Sequence, residues 1–420
     1  MTPHQLDFDL DGFEPVALEP APVGGTWLHG DVVVVGARAA GAATAMLLAR
    51  AGLDVILVDR SRFGADTVST HALMRGAVIQ LRRWGLLDAL VAAGTPPIGG
   101  ATFHVPTGET NLDFRAGDEL YAPRRTLLDP LLVDAARDAG ARVHYGLAVH
   151  DIRRDDAGRI TGVSARDRQG RPFNIRARLV VGADGYHSAI ARAVDAPVEL
   201  VADGAASYLY RYWSGVDADR YESMYTRTAT AGLIPTNDGL TCVFVGASPE
   251  RLARGGPDIY AELLREANPQ IAERVLAGTQ VGTTRRAVGR PGRIRRPYGA
   301  GWALVGDAGY WKDPITAHGI TDAFRDAELL ARAVVAGFDT DTLVDQLATY
   351  HHERNRLSRD LFDVTDRIAG MGWTDDEIGP LLLDLSRSMR DEVETLHSLD
   401  PWPPTAHRAS ASLVTASAAD

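Results

Sequence analysis

The sequence predicts an α/β chain: a parallel-sheet domain interleaved with a second, β-sheet domain, and helices at the C-terminal end. Three observations predict it. Short β-branched runs at 31–35 and 55–58 flank a glycine turn and an Ala/Leu-rich helical segment, the pattern of a βαβ unit with strands buried on both faces. Two later apolar runs, Leu179–Val181 and Trp302–Val305, each deliver the chain into a Gly/Asp-containing turn. Between them, from about 197 to 287, the pattern changes to longer strands and aromatics.

The elements follow in order. Residues 1–30 are acidic and Pro/Gly-bearing and read as an N-terminal extension. Asp31-Val-Val-Val-Val35 is a buried strand, Gly36–Gly41 a turn, and Ala42–Arg50 a helix stopped by Gly52. The strand Val55–Val58 closes on Asp59. Residues 72–93 and 126–139 show helical spacing, and 101–105 with 110–114 read as a hairpin about Thr107-Gly108. Strands fill 141–181. Residues 321–337 and 341–397 are mainly helical, and 398–420 read as a flexible tail.

Composition narrows the function. A length of 420 residues implies two or three interleaved domains. A net charge of −11 with no basic stripe argues against a nucleic-acid partner. The single cysteine, Cys242, excludes an intrachain disulfide and a Cys-based metal site, and no metal centre is expected. No apolar run reaches the ~20 residues of a spanning helix, and no basic-then-apolar leader opens the chain, so a cytoplasmic protein without a membrane contact is expected. Lys312 is the only lysine, and reads as a solvated charge.

Three motifs carry the chemistry. In Gly36-Ala37-Arg38-Ala39-Ala40-Gly41, the turn aims a helix N-terminus at a pyrophosphate, and Asp59, with Arg60 beside it, stands where ribose hydroxyls need an acceptor. Arg38 replaces the middle glycine of G-x-G-x-x-G, and either turns its side chain away or pairs with the phosphates. The second motif is Gly182-Ala183-Asp184-Gly185-Tyr186-His187-Ser188; by itself it is an Asp-Gly turn. In the third, Gly306-Asp307-Ala308-Gly309 runs through Asp313-Pro314 to Gly319 and a helix starting near Ile320. An Asp at such a strand end binds a polyol, and a helix N-terminus there stabilises negative charge on a reduced ring.

Together these motifs resemble the class A flavoprotein monooxygenases, the para-hydroxybenzoate hydroxylase-like family, over roughly residues 31–360. The resemblance implies a Rossmann-like FAD-binding domain (31–98, 118–196, 288–338) interleaved with a β-sheet substrate domain (99–117, 197–287), and C-terminal helices (339–397). It implies Gly36, Arg38 and Gly41 at the FAD pyrophosphate, Asp59 at the ribose, Asp307 on the ribityl chain, and Pro314, Gly319 and Ile320 at the ring edge. Arg125, in Arg-Thr-Leu-Leu, matches a family contact to FAD; Val149 falls where the family's backbone meets adenine; Asp184, with Gly185, supports the FAD phosphate region and an NAD(P)H contact. The family's arginine three residues after the Ser of the second motif is Ala191 here, and Arg192 follows.

By the same resemblance, NADPH or NADH acts as a transient reductant, O2 adds to the flavin, and an aromatic or polyketide-like small molecule is hydroxylated. His71 and His318 are candidates beside the ring. In Tyr208-Leu-Tyr-Arg-Tyr-Trp213, period-two spacing separates Tyr208, Tyr210 and Tyr212 from Arg211 and Trp213; Tyr210 and Arg211 are candidates for the substrate pocket. The rival readings are a flavin-dependent reductase of the geranylgeranyl-reductase type and a non-catalytic flavoprotein binding a reactive intermediate. The halogenase motif Trp-x-Trp-x-Ile-Pro is absent.

Overall fold

The computed structural model describes residues 25–403. The extension expected at 1–30 lies outside them as far as residue 24. Its last residues are not an arm: the first strand begins at Thr26, because Thr26–Gly30 pairs in parallel with Phe173–Ala177.

The eight-stranded sheet runs Tyr298–Gly299, Trp302–Leu304, Pro172–Gly182, Thr26–Val35, Val55–Asp59, Arg142–Tyr145, with Ile160–Asp167 joined antiparallel to Pro172–Gly182 and Leu147–Arg154 joined antiparallel to Ile160–Asp167. Side chains alternate across it. Val32, Val34, Leu57, Leu179 and Val181 pack against the helices Ala39–Arg50, Arg125–Asp138 and Gly319–Gly337. Val33, Val35, Ile56, Val58 and Val180 pack on the other face against the antiparallel strands. Burial on both faces explains the unbroken valine run at 32–35.

The segments Gly100–Asp113 and Ser207–Ala287 make one seven-stranded sheet, in the order Thr279–Ala287, Ser207–Ser214, Leu240–Ala247, Thr230–Pro235, Tyr221–Tyr225, Gly100–Val105, Gly108–Asp113. Between its strands the chain also forms three short helices, Pro249–Arg254, Ile259–Ala267 and Pro269–Leu276, which cover the outer face through Leu263, Leu264 and Val275. The inner face, with Tyr208, Tyr210, Tyr212 and Phe244, packs against Leu361, Val364 and Ile368 of the helix Leu343–Ala369 and Ile378, Leu381 and Leu385 of the helix Ile378–Ser398. The C-terminal helices therefore clasp both domains.

The tail expected from 398 is fixed as far as residue 403. Trp402 Nε1 donates to the Leu47 carbonyl at 3.0 Å, and Arg83 holds the carbonyls of Leu399 and Asp400. Residues 404–420 lie outside the described residues. No described helix is long and apolar enough to cross a membrane.

Candidate active site

The first turn is shaped by close backbone contact. Gly36 has φ +106°, and a Cβ on it would lie 2.3 Å from the Ala183 carbonyl oxygen. Asp59 braces the turn: Oδ2 accepts from the Ala37 N–H at 2.7 Å, and Oδ1 accepts from the Ser61 N–H at 2.7 Å. No side chain caps the helix Ala39–Arg50, so its first N–H groups are left for a ligand. Of the two alternatives for Arg38, its guanidinium turns to protein: Nη2 donates to the Asp66 carbonyl at 3.3 Å, and Nη1 lies 3.6 Å from Asp129 Oδ2. Arg125 holds the same Asp129 with two hydrogen bonds, at 2.9 and 3.0 Å. Asp129 was missed in the sequence, although its position four residues beyond Arg125 on a helix was the available signal. Arg60 is exposed, and Val149 sits half-buried in its strand opposite Ala165.

The second motif abuts this turn. Asp184 Oδ2 accepts from the N–H groups of Ala189 (2.6 Å) and Ile190 (3.2 Å), capping the short helix Ala189–Ala193, and Ser188 caps it as well. Asp184 Oδ1 is buried and has no partner. Burial raises the Asp184 pKa against these hydrogen bonds. Gly185 takes φ +80° in the turn.

The third motif is more heavily charged than its sequence implied. Asp307, at the end of the strand Trp302–Leu304, makes no carboxylate hydrogen bond among the described residues; burial and then the nearby Asp322 push its pKa up to about 6. Pro314 and Gly319 are exposed, and space where a Gly319 Cβ would stand is open. Ile320 is 8% exposed. The helix Gly319–Gly337 has no side-chain cap. Lys312 corrects the sequence reading: it is 7% exposed and paired with Asp322, not solvated. Arg325, fully buried, binds Asp322, Asp326 and Glu392 at 2.9, 2.8 and 3.2 Å. His318 Nε2 lies 2.7 Å from Glu392. Ligand atoms of His318, Asp322 and Glu392 fall within 4.8 Å of one another, but Lys312 and Arg325 already engage these carboxylates and take the place of a metal cation. Glu392 was also missed; its signal was a charge within the apolar helical stripe Ile378, Leu381, Leu385, Leu396.

On the substrate side, the loop after Asp59 meets the inner tyrosines. His71 is 1% exposed with φ +71°, a conformation that costs a non-glycine residue on the order of 1 kcal/mol. Its Nε2 hydrogen-bonds the Tyr212 hydroxyl, and its Nδ1 is buried without a partner. Burial, with Arg125 and Arg124 nearby, holds the His71 pKa down to about 3. Tyr210 Oη accepts from the Ser69 N–H at 3.2 Å, and Arg124 lies 3.9 Å from the Tyr212 ring centre. Tyr208 donates to Asp313, tying the third motif to the sheet. Arg211 does not belong to the site. Alternation turns it to the outer face, where it stacks 4.1 Å over Tyr260 and donates to Thr284 at 2.9 Å.

These residues fit FAD. Uncapped helix N-termini suit its pyrophosphate and ring edge; Asp307's unpaired carboxylate suits a polyol; the crowded Gly36–Ala183 contact leaves the cradle clear of side chains. The Asp307 pKa is raised on folding, so its contribution to stability is present in acid and lost as pH rises from about 4 through about 6. Asp307→Asn is therefore expected to melt higher than the parent apoprotein at pH 7.5, with that advantage vanishing near pH 4. Its FAD affinity is expected to fall by roughly tenfold, the loss of about one charge-assisted hydrogen bond. Thermal unfolding at the two pH values and FAD titration check both.

The chain matches the FAD binding domain family model over residues 29–365. It is 30% identical to digeranylgeranylglycerophospholipid reductase of Methanothrix thermoacetophila over 338 residues, covering 76% of this chain and 81% of that protein. It is 28% identical to menaquinone reductase of Mycolicibacterium smegmatis, covering 74% and 78% respectively. Its fold is that of the flavin-dependent brominase Bmp2, with a TM-score of 0.73 at 20% identity over 88% of this chain and 93% of that one. The glycine turn, strand-end carboxylates and uncapped helices suit such a cofactor, and the chain belongs to the FAD-binding domain family of flavin-dependent oxidoreductases.

Proposed function

We propose that the chain is an FAD-dependent reductase that saturates carbon–carbon double bonds in an isoprenoid-bearing molecule, with NADPH or NADH as transient reductant. The observation that carries this reading is the 30% identity to a digeranylgeranylglycerophospholipid reductase across 76% of the chain. The site supports it over the hydroxylase reading from the para-hydroxybenzoate hydroxylase-like resemblance. Hydroxylation of a phenol is helped by a base with a pKa near the working pH. His71, the imidazole on the substrate side, is held down to about 3.

FAD, when bound and reduced, supplies hydride. Gly36, Gly41 and the helix Ala39–Arg50 would hold its phosphates, Asp59 its ribose, and Asp307 its ribityl chain. Saturating a double bond also takes a proton, and the Tyr212–His71 pair holds one at the Tyr212 hydroxyl. The loop from Asp66 to His71, pinned by Arg38, Arg285 and Tyr210, excludes water from that side.

The test is to incubate the reduced protein, without oxygen, with a geranylgeranyl lipid or a menaquinone and weigh the product. A gain of two hydrogens per bond is expected. An aromatic product carrying an added oxygen, formed only in air, would overturn the reading in favour of hydroxylation with O2. Failure of both chemistries, with no reduction by NADPH or NADH, is the result expected of a non-catalytic flavoprotein that carries a reactive intermediate.

A further inference from the structure

Two segments far apart in sequence meet beneath the N-terminus of the helix Gly319–Gly337. His318, at its N-cap, and Glu392, on the last helix, are each 1% exposed. His318 Nε2 lies 2.7 Å from Glu392 Oε2, and His318 Nδ1 is buried with no partner. The surroundings are built for this contact. A Cβ on Gly76, in the neighbouring helix Arg75–Arg83, would lie 3.3 Å from Glu392 Oε2 and only 2.9 Å from Thr321 Cγ2. Gly76 thereby lets three helices close over the pair.

The pair sits in a dense buried ion network. Asp322, Asp326 and Glu392 face the permanent cations Lys312 and Arg325, and the buried Arg354 also acts on Asp326. Asp307 lies nearby on the cleft side, and Tyr310 is a neutral aromatic face 5.1 Å from Lys312 Nζ. With a proton on His318, its Nε2–H faces Glu392 at 2.7 Å and lies 4.0 Å from Asp322 Oδ1. The second N–H, at Nδ1, is the one left without a protein acceptor. It belongs to the residue immediately before Gly319, whose Cα opens onto free space.

We infer that His318 is held as an imidazolium by Glu392 and serves as a fixed positive charge at the edge of the flavin site, stabilising the reduced ring. Glu392 is a positioning residue acting through His318. A hydride donor passes two electrons and one proton to the ring, which gains one negative charge; no bond to His318 forms or breaks. The imidazolium adds to the helix N-terminus a full charge in a site sheltered from water, where it acts more strongly on the reduced than on the oxidised form. The inference rests on membership of the FAD-binding family and on the third motif's place at the ring. It is independent of the substrate.

The experiment is the midpoint potential of the FAD-loaded full-length protein, by dye-coupled reduction at pH 7.5, for the parent, His318→Gln and Glu392→Gln. The potential reports the ratio of affinities for reduced and oxidised FAD. His318→Gln is expected to lower that ratio by about tenfold or more, as loss of one nearby charge implies. Glu392→Gln discriminates by sign. Removing a negative charge should by Coulomb's law raise the potential; it is expected to lower it, because the proton on His318 leaves with its partner. A raised potential in Glu392→Gln, or an unchanged one in His318→Gln, overturns the inference. If Glu392→Gln does not hold FAD, His318→Gln alone decides.

Discussion

Gly41→Ala is expected to bind no FAD and to lose about 3 kcal/mol or more of stability, the upper range for overpacking. A Cβ at this position would lie 1.7 Å from the Gly36 carbonyl oxygen, 2.9 Å from its carbon and 3.0 Å from Ala183 Cβ. Two of those atoms are backbone, and the third belongs to the second motif, so no side-chain rotation relieves the clash. The turn itself must open, and with it the helix N-terminus that would face the pyrophosphate. Urea unfolding and FAD titration measure the two effects. Retention of FAD at parental affinity would show that the cradle tolerates a wider turn, and that the spacing argued here does not govern binding.

Arg325→Met is expected to cost about 3–5 kcal/mol at pH 8, the penalty for breaking a buried ion network by removing one partner. Arg325 is fully buried and binds three carboxylates from two helices. Lys312, engaged with Asp322, and Arg354, near Asp326, then remain as permanent cations of the cluster. The orphaned carboxylates can recover only by taking up protons. Their folded-state pKa values rise above the unfolded ones, so stability lost at high pH returns as pH falls through the raised values. The difference from the parent should therefore shrink between pH 8 and pH 5, read from denaturation midpoints. An equal loss at both pH values would mean that the damage comes from packing and not from charge.

Much of the fold could be read from the chain because its signals are local. The valine run at 32–35, the glycine turn and the Asp-terminated strands each specify their conformation through neighbours a few residues away. The alternation of Tyr208, Tyr210 and Tyr212 likewise gave their common face. It also placed Arg211 on the opposite face, which is why including Arg211 in the pocket failed: the spacing already argued against it. What was not legible depends on long-range docking. Lys312 reads as solvated in a polar loop until the helix Gly319–Gly337 brings Asp322 against it. Nothing local links Glu392 to His318, although a lone acid in the stripe of Leu381, Leu385 and Leu396 marks a buried charge in want of a partner. Thr26–Gly30 reads as an arm because Thr26 is its only β-branched residue and it ends on Gly30, and it becomes a strand through pairing with Phe173–Ala177. Arg38 breaks the glycine fingerprint without filling the cradle, because Asp66 and Asp129 draw its guanidinium aside.

The most direct test of the central claim is the absorbance spectrum of the purified protein, mixed with FAD, desalted, and then acid-precipitated. A two-banded flavin spectrum at about one FAD per chain is expected, reduced in parallel with the loss of affinity in Asp307→Asn and abolished in Gly41→Ala. A protein that stays colourless after FAD is added would contradict the assignment of the three motifs to one flavin site.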